Sequence, residues 1–111
     1  MPYFVRFVDY AKNSTISGFG GQNLAVRFSE HEAIEYAIGF SGKVRWVWVD
    51  CFTKLPLNQQ SYKLLKEAGF DICIVSPELQ GHDKNMIAEF KEQMCNMEIE
   101  AVCTKYPLLW I

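Results

Sequence analysis

The chain has 111 residues, 50% of them hydrophobic and 14% aromatic, and its 11 lysines and arginines against 13 acidic residues leave a net charge of −2. That length holds one domain, residues 1–111, and excludes a complete eight-unit β/α barrel, which takes about 250 residues. The apolar content excludes disorder, the near-neutral charge gives no electrostatic case for nucleic acid, and no apolar run reaches the ~20 residues of a membrane span.

The N-terminal segment MPYFVRFVDY carries Arg6 and Asp9 inside an apolar stretch and has no small-residue cleavage site. A cytoplasmic chain without a signal peptide is therefore expected. Two readings of the first 23 residues stay open. One is a helix with Phe4, Phe7, Val8 and Ala11 on one side, followed by a short strand at residues 15–17. The other is a strand at residues 3–7 with a brief crossover behind it. Gly18, Gly20 and Gly21 form a turn that closes either version. They do not spell GxGxxG and they precede a strand, so they are no phosphate cradle.

From residue 24 onward, short β-rich runs alternate with segments of helical spacing. The runs are residues 24–28 (LAVRF), 44–49 (VRWVWV), 72–75 (ICIV) and 101–103 (AVC). Between the first two, Ser29 and Glu32 read as a capping box opening a helix whose apolar stripe is Ile34, Ala37 and Ile38. A second helix is predicted from about Asn58 to Ala68, with Tyr62, Leu65 and Ala68 in register and Gly69 as its stop. A third runs from Asp83 to about Met97, with Ile87, Phe90, Met94 and Met97 on one face. Methionines at that spacing read as core filler. Strand–helix alternation implies a parallel α/β sheet with right-handed crossovers. Continuous apolar strands imply cover on both faces.

The four cysteines, Cys51, Cys73, Cys95 and Cys103, lie 22, 22 and 8 residues apart. None forms a Cys-x-x-Cys pair, so zinc-ribbon and thioredoxin-like chemistry have no support. Buried, reduced thiols are expected. A nucleophilic Cys51 is disfavoured by Asp50, since an adjacent carboxylate raises a thiol pKa. Trp46 and Trp48 share a strand face, and Trp110 lies near the C-terminus; core packing is the expectation for all three.

In parallel α/β architectures ligands bind at the carboxyl ends of the strands. Polar residues recur there: Arg27, Ser29 and Glu30 after the first run, Asp50 after the second, Ser76 and Glu78 after the third, and Thr104-Lys105 after the fourth. A buried Arg27 needs a carboxylate or an anionic ligand, with Glu30, Asp50 and Glu78 as candidate partners. Each position also has a bland reading: Ser29, Ser76 and Asn58 as helix caps, Asp50 as an acceptor for loop N–H groups, Lys54 as solvated. His31 and His82 have no placement as an acid–base pair. Adjacent helical residues do not converge on one ion, so His31 with Glu30 and Glu32 makes no metal site.

These strand-end strings resemble the glycerophosphodiester phosphodiesterase-like barrels of the phosphatidylinositol-phosphodiesterase superfamily. The resemblance rests on NLAVRFSEHE (residues 23–32), VWVDCF (47–52), ICIVSPELQG (72–81) and VCTKYP (102–107). It covers residues 23–107 and only the C-terminal half of such a barrel. It implies a partial, half TIM barrel of parallel β/α units. Arg27, Ser29, Glu30, Asp50, Ser76 and Glu78 would then be the substrate-side residues, and no residue of this chain would be catalytic. The resemblance also implies a divalent metal, Mg²⁺ or Ca²⁺, in the N-terminal half, whose His-Arg-Gly, Glu-x-Asp and second His-Asp strings do not occur here. His82-Asp83 has the letters of the last but follows a late strand. Thr104-Lys105 departs from the family's Thr-Asp and reverses a charge at the rim.

The expected function is thus that of a phosphodiesterase-like chain inactive alone. The alternative is a non-catalytic module holding a phosphate-bearing small molecule at its strand ends. Bare sheet edges predict a homo-oligomer, or a partner that supplies the missing half-barrel.

Overall fold

Short runs of valine, isoleucine and tryptophan, each bounded by polar turns, suit a pleated sheet covered on its faces. The computed structural model describes residues 25–111 and the backbone of Phe7 and Val8. Among the described residues there are five strands: β1 (Phe7–Val8), β2 (Ala25–Phe28), β3 (Trp46–Val49), β4 (Asp71–Val75) and β5 (Ala101–Cys103). They lie in the order β1–β5–β4–β3–β2, and every neighbouring pair is parallel. The chain is therefore α/β with a parallel sheet, and β2 to β5 follow one another in sequence order. Of the strand read at residues 3–7 only Phe7 is described, and it is in a strand, which continues to Val8 beyond the expected end. The remainder of that segment, including the strand read at residues 15–17 and the glycine turn, lies outside the described residues.

Register explains how the two faces differ. Phe28, Val49, Ile74 and Val102 stand side by side across four strands. With Val26, Val47 and Ile72 they face the helices, forming a core with Ala37, Leu65, Ile87, Phe90 and Met94. On the other face the corresponding row is Arg27, Trp48, Cys73 and Ala101. There Cys73, Ala101 and Cys103 are buried, with Trp46, Trp48 and Leu79 packed against them. Trp46 and Trp48 remain half-buried, whereas Trp110 is fully buried.

Among the described residues the helices are α1 (Ile34–Ile38), α2 (Gln59–Glu67), α3 (Met86–Gln93) and α4 (Pro107–Trp110), with a 3-10 turn at Pro77–Gln80 after β4. Helix α2 carries the strongest local signals. The Asn58 side chain accepts from the Ser61 N–H at 2.8 Å and the Ser61 hydroxyl accepts from the Asn58 N–H at 2.9 Å, a reciprocal cap. At its other end Gly69 takes φ +91°, with Gly69 N–H donating to Lys66 and Phe70 N–H to Leu65. That pair of bonds is the Schellman closure which a left-handed glycine permits. The third helix begins later than its spacing suggested, at Met86, because Asp83 makes a turn and its carboxylate accepts from the Asn85 N–H at 2.8 Å. Met97 lies beyond that helix yet is buried with Ile87, Phe90 and Met94.

Two capping expectations are corrected: Ser76 stands at the cap position of the 3-10 turn but makes no side-chain cap bond, and Ser29 opens no helix. Ser29 and Glu32 do bond, but to each other: the Ser29 hydroxyl donates to Glu32 at 2.7 Å. The helix itself starts a turn later, behind Ala33, whose position has no side-chain cap. His31 consequently sits in the turn and not in the helix.

Candidate functional site

Because β2 to β5 run parallel, their carboxyl ends bring Arg27, Ser29, Glu30, Asp50, Ser76, Glu78 and Thr104 to one rim. What those residues touch there is largely each other. Glu30 follows β2 and reaches the loop after β3. Its carboxylate accepts from the main-chain N–H of Phe52 at 3.1 Å and of Lys54 at 3.0 Å, from the Thr53 hydroxyl at 2.6 Å, and from the Thr53 N–H. Burial pushes the Glu30 pKa up, but the hydrogen bonds from Thr53 and Lys54 outweigh it and hold it at about 2 against an ordinary 4.5. Glu30 is therefore an anion at any physiological pH.

Glu78 repeats this arrangement one strand pair along. It follows β4 and reaches the loop after β5, accepting from the Thr104 hydroxyl at 2.7 Å and the Lys105 N–H at 2.9 Å. It also accepts from the Ser76 hydroxyl. Ser76 is fully buried and itself accepts from the Trp110 indole N–H at 3.0 Å. Lys105 enters this site through its main-chain N–H, so its side-chain charge takes no part in the contact.

Asp50 is also buried, and one of its oxygens accepts from the Gln80 side chain at 2.8 Å. Its pKa is raised because burial disfavours the carboxylate, partly offset by Gln80 and by the charge of Arg27. The reading of Asp50 as the acceptor for loop N–H groups is corrected: Glu30 has that role. His82 binds the same loop from the other side, its Nε2 lying 3.0 Å from the carbonyl oxygens of both Cys51 and Phe52. Two acceptors at that nitrogen require it to carry the proton. No position in the sequence flagged Gln80 or His82 for these tasks; only the 3-10 turn after β4 brings them there.

Arg27 departs from expectation. Its side chain is 54% exposed and pairs with Glu32 at 3.4 Å, not with Glu30, Asp50 or Glu78. Its guanidinium carbon lies 5.2 Å from the centre of the Phe52 ring, on which the His31 ring stacks at 5.3 Å. A guanidinium, an aromatic face and an imidazole thus form an accessible cluster at the β2–β3 end of the rim. Such an exposed, long ion pair contributes little stability, which leaves the Arg27 donors available to another anion.

Cys51 is fully buried, and burial together with the Asp50 charge pushes its thiol up to about 12. A shared hydrogen bond with Cys103, and burial, push Cys73 upward as well. These thiols are packing groups, and all four cysteines are free, with Cys95 exposed. Among the described residues no group of three His, Cys, Asp or Glu side chains is placed to hold a metal ion. The Glu30 and Glu78 carboxylates are engaged by loop donors and by the Ser76 hydroxyl. At the opposite end of the sheet an open depression of about 570 Å³ lies between residues 41–45 and Gly69. Its basic wall includes Arg45, which is bonded to Asp71 at 2.6 Å. Among the described residues no helix is long and apolar enough to cross a membrane. No family model matches the chain, and neither a curated protein nor a solved structure is significantly similar to it.

Proposed function

We propose that this chain is a non-catalytic, phosphodiesterase-like module. In this reading it is the C-terminal half of a β/α barrel, binds a phosphate-bearing group at the Arg27 end of its rim, and hydrolyses nothing alone. The observation that carries the reading is the use made of its acidic residues. Metal-assisted hydrolysis needs carboxylates free to ligate and an acid–base pair free to move protons. Glu30 and Glu78 instead hold neighbouring loops, Asp50 is bonded to Gln80, and His82 bridges two carbonyls. The exposed Arg27 beside Phe52 and His31 is what remains for a ligand.

The sequential parallel row from β2 to β5 supports the half-barrel; β1 lies outside that row, beside β5 and not beside β2, where the preceding strand of a barrel would pair. On this reading the outer edge of β2 is the surface for a second copy or for a partner supplying the catalytic half.

Two measurements test the proposal. The purified chain, supplied with a glycerophosphodiester and Mg²⁺ or Ca²⁺, is expected to show no turnover; robust hydrolysis would refute it. Inorganic phosphate is expected to raise the melting temperature, and Arg27→Ala is expected to diminish that rise while leaving the starting stability almost unchanged, as for other exposed ion pairs. An undiminished rise in the variant removes Arg27 from the site.

A further inference from the structure

The loop after β3 directs a cluster of donors at one of the chain's own side chains. Three successive main-chain N–H groups, those of Phe52, Thr53 and Lys54, converge with the Thr53 hydroxyl on the single carboxylate of Glu30. Convergent backbone donors of this kind form a concave nest suited to any compact oxyanion. The loop's shape does not depend on Glu30 alone. His82 holds the carbonyls of Cys51 and Phe52 at 3.0 Å, and Asp50 N–H donates to Phe28 at 2.9 Å. These contacts hold residues 50–52 independently of the carboxylate. Thr53 and Lys54 are exposed, so an anion in solution reaches them without passing through the core.

We infer that residues 52–54 form an oxyanion-binding nest for phosphate or a phosphomonoester, with Glu30 as its resident competitor. The two anions are exclusive. Each presents oxygens to the same N–H groups, and two negative charges in one nest repel. Apparent affinity in the wild type is scaled down to the fraction of time that Glu30 leaves the donors. The Glu78 site is the built-in contrast, because it offers one main-chain N–H, from Lys105, and is otherwise made of hydroxyls. This inference deepens the reading of the rim as an anion site, yet it rests on donors other than Arg27.

The experiment compares thermal melts of the wild type, Glu30→Ala and Glu78→Ala in sodium phosphate and in sodium chloride of equal ionic strength. At ~10 mM phosphate, Glu30→Ala should gain about 5 °C over chloride, the wild type less, and Glu78→Ala no more than the wild type. Equal melts of Glu30→Ala in the two salts overturn the inference, and so does an equal gain in all three proteins, which marks a general salt effect. Should Glu30→Ala be unfolded in chloride, recovery of its folded circular-dichroism signal in phosphate supports the nest, and no recovery overturns it. The double variant with Arg27→Ala separates the two readings. A phosphate gain that survives there while the wild-type response ignores Arg27 sinks the Arg27 reading alone. No gain in Glu30→Ala beside an Arg27-dependent wild-type response sinks the nest alone.

Discussion

The two ends of the rim are built on one plan and finished differently. In both, a fully buried serine follows the strand, a glutamate lies close behind it, and that glutamate reaches a threonine in the next strand's loop. After β4, Ser76 donates to the clamping glutamate and receives the Trp110 indole, so that end is packed shut. After β2, Ser29 donates to Glu32 instead, and beside it Arg27, His31 and Phe52 remain accessible. The same strand-end chemistry therefore yields a sealed corner and an open one. Both serines are buried, so what differs is the partner: Ser76 bonds the clamping glutamate and the indole, whereas Ser29 bonds a glutamate outside the clamp.

The sharpest way to break that contrast is to unseal the closed corner. Trp110→Ala deletes a fully buried ring and leaves the Ser76 hydroxyl without its donor. A loss of about 3–5 kcal/mol is expected in denaturant unfolding. Trp110→Phe keeps most of the packing and is expected to cost much less; equal losses would mean that the indole N–H, not the ring, holds the corner.

Next in size are the two clamps. Glu78→Ala strands the Ser76 hydroxyl away from water, so a loss of about 2–3 kcal/mol is expected. Glu30→Ala releases N–H groups that solvent reaches, and about 1–2 kcal/mol is expected. The reverse order would show that the open corner is the stiffer one. Acid adds a second reading of Glu30. Its folded pKa of about 2 lies below its ordinary 4.5, so its stabilising contribution is complete above 4.5 and is lost as pH falls from 4.5 toward 2. The stability difference between wild type and Glu30→Gln should shrink across that window, as followed by urea melts at stepped pH.

The smallest effect belongs to Asp50, which stands between the corners. Burial raises its pKa, so its charge opposes folding at neutral pH and this cost disappears once acid protonates it in both states. Asp50→Asn keeps an acceptor for Gln80 and should be neutral or slightly stabilising at pH 7, by less than about 1 kcal/mol. That advantage should fade in acid, and a clear loss at pH 7 would show that the carboxylate is needed as an anion.

How much of this was readable in advance depended on the range of the interactions. Helix α2 and its ends were legible because Asn58, Ser61 and Gly69 act within a few residues of one another. The alternation of strands and helices was legible from spacing alone, as was the gathering of Arg27, Asp50 and Glu78 at one side. Partner choice was not. The Glu30 clamp crosses 23 residues to Thr53, and the His82 bridge crosses 31 to Cys51. Such pairings are fixed by the order of strands in the sheet, which periodicity does not encode. Arg27 misled for a related reason: apolar neighbours on its strand suggested burial, yet it lies in β2, next to β3 alone among the described strands, where its long side chain reaches solvent.

The bond from Trp110 to Ser76 spans 34 residues, and this separation has a consequence for biosynthesis. As the polypeptide leaves the ribosome, Asn58, Ser61 and Gly69 have all emerged in time to fold helix α2 early. The corner beside β4 must wait until residue 110 clears the exit tunnel. Until then the nascent molecule exposes the slot that the indole later fills, and this is the interval in which a chaperone would find it.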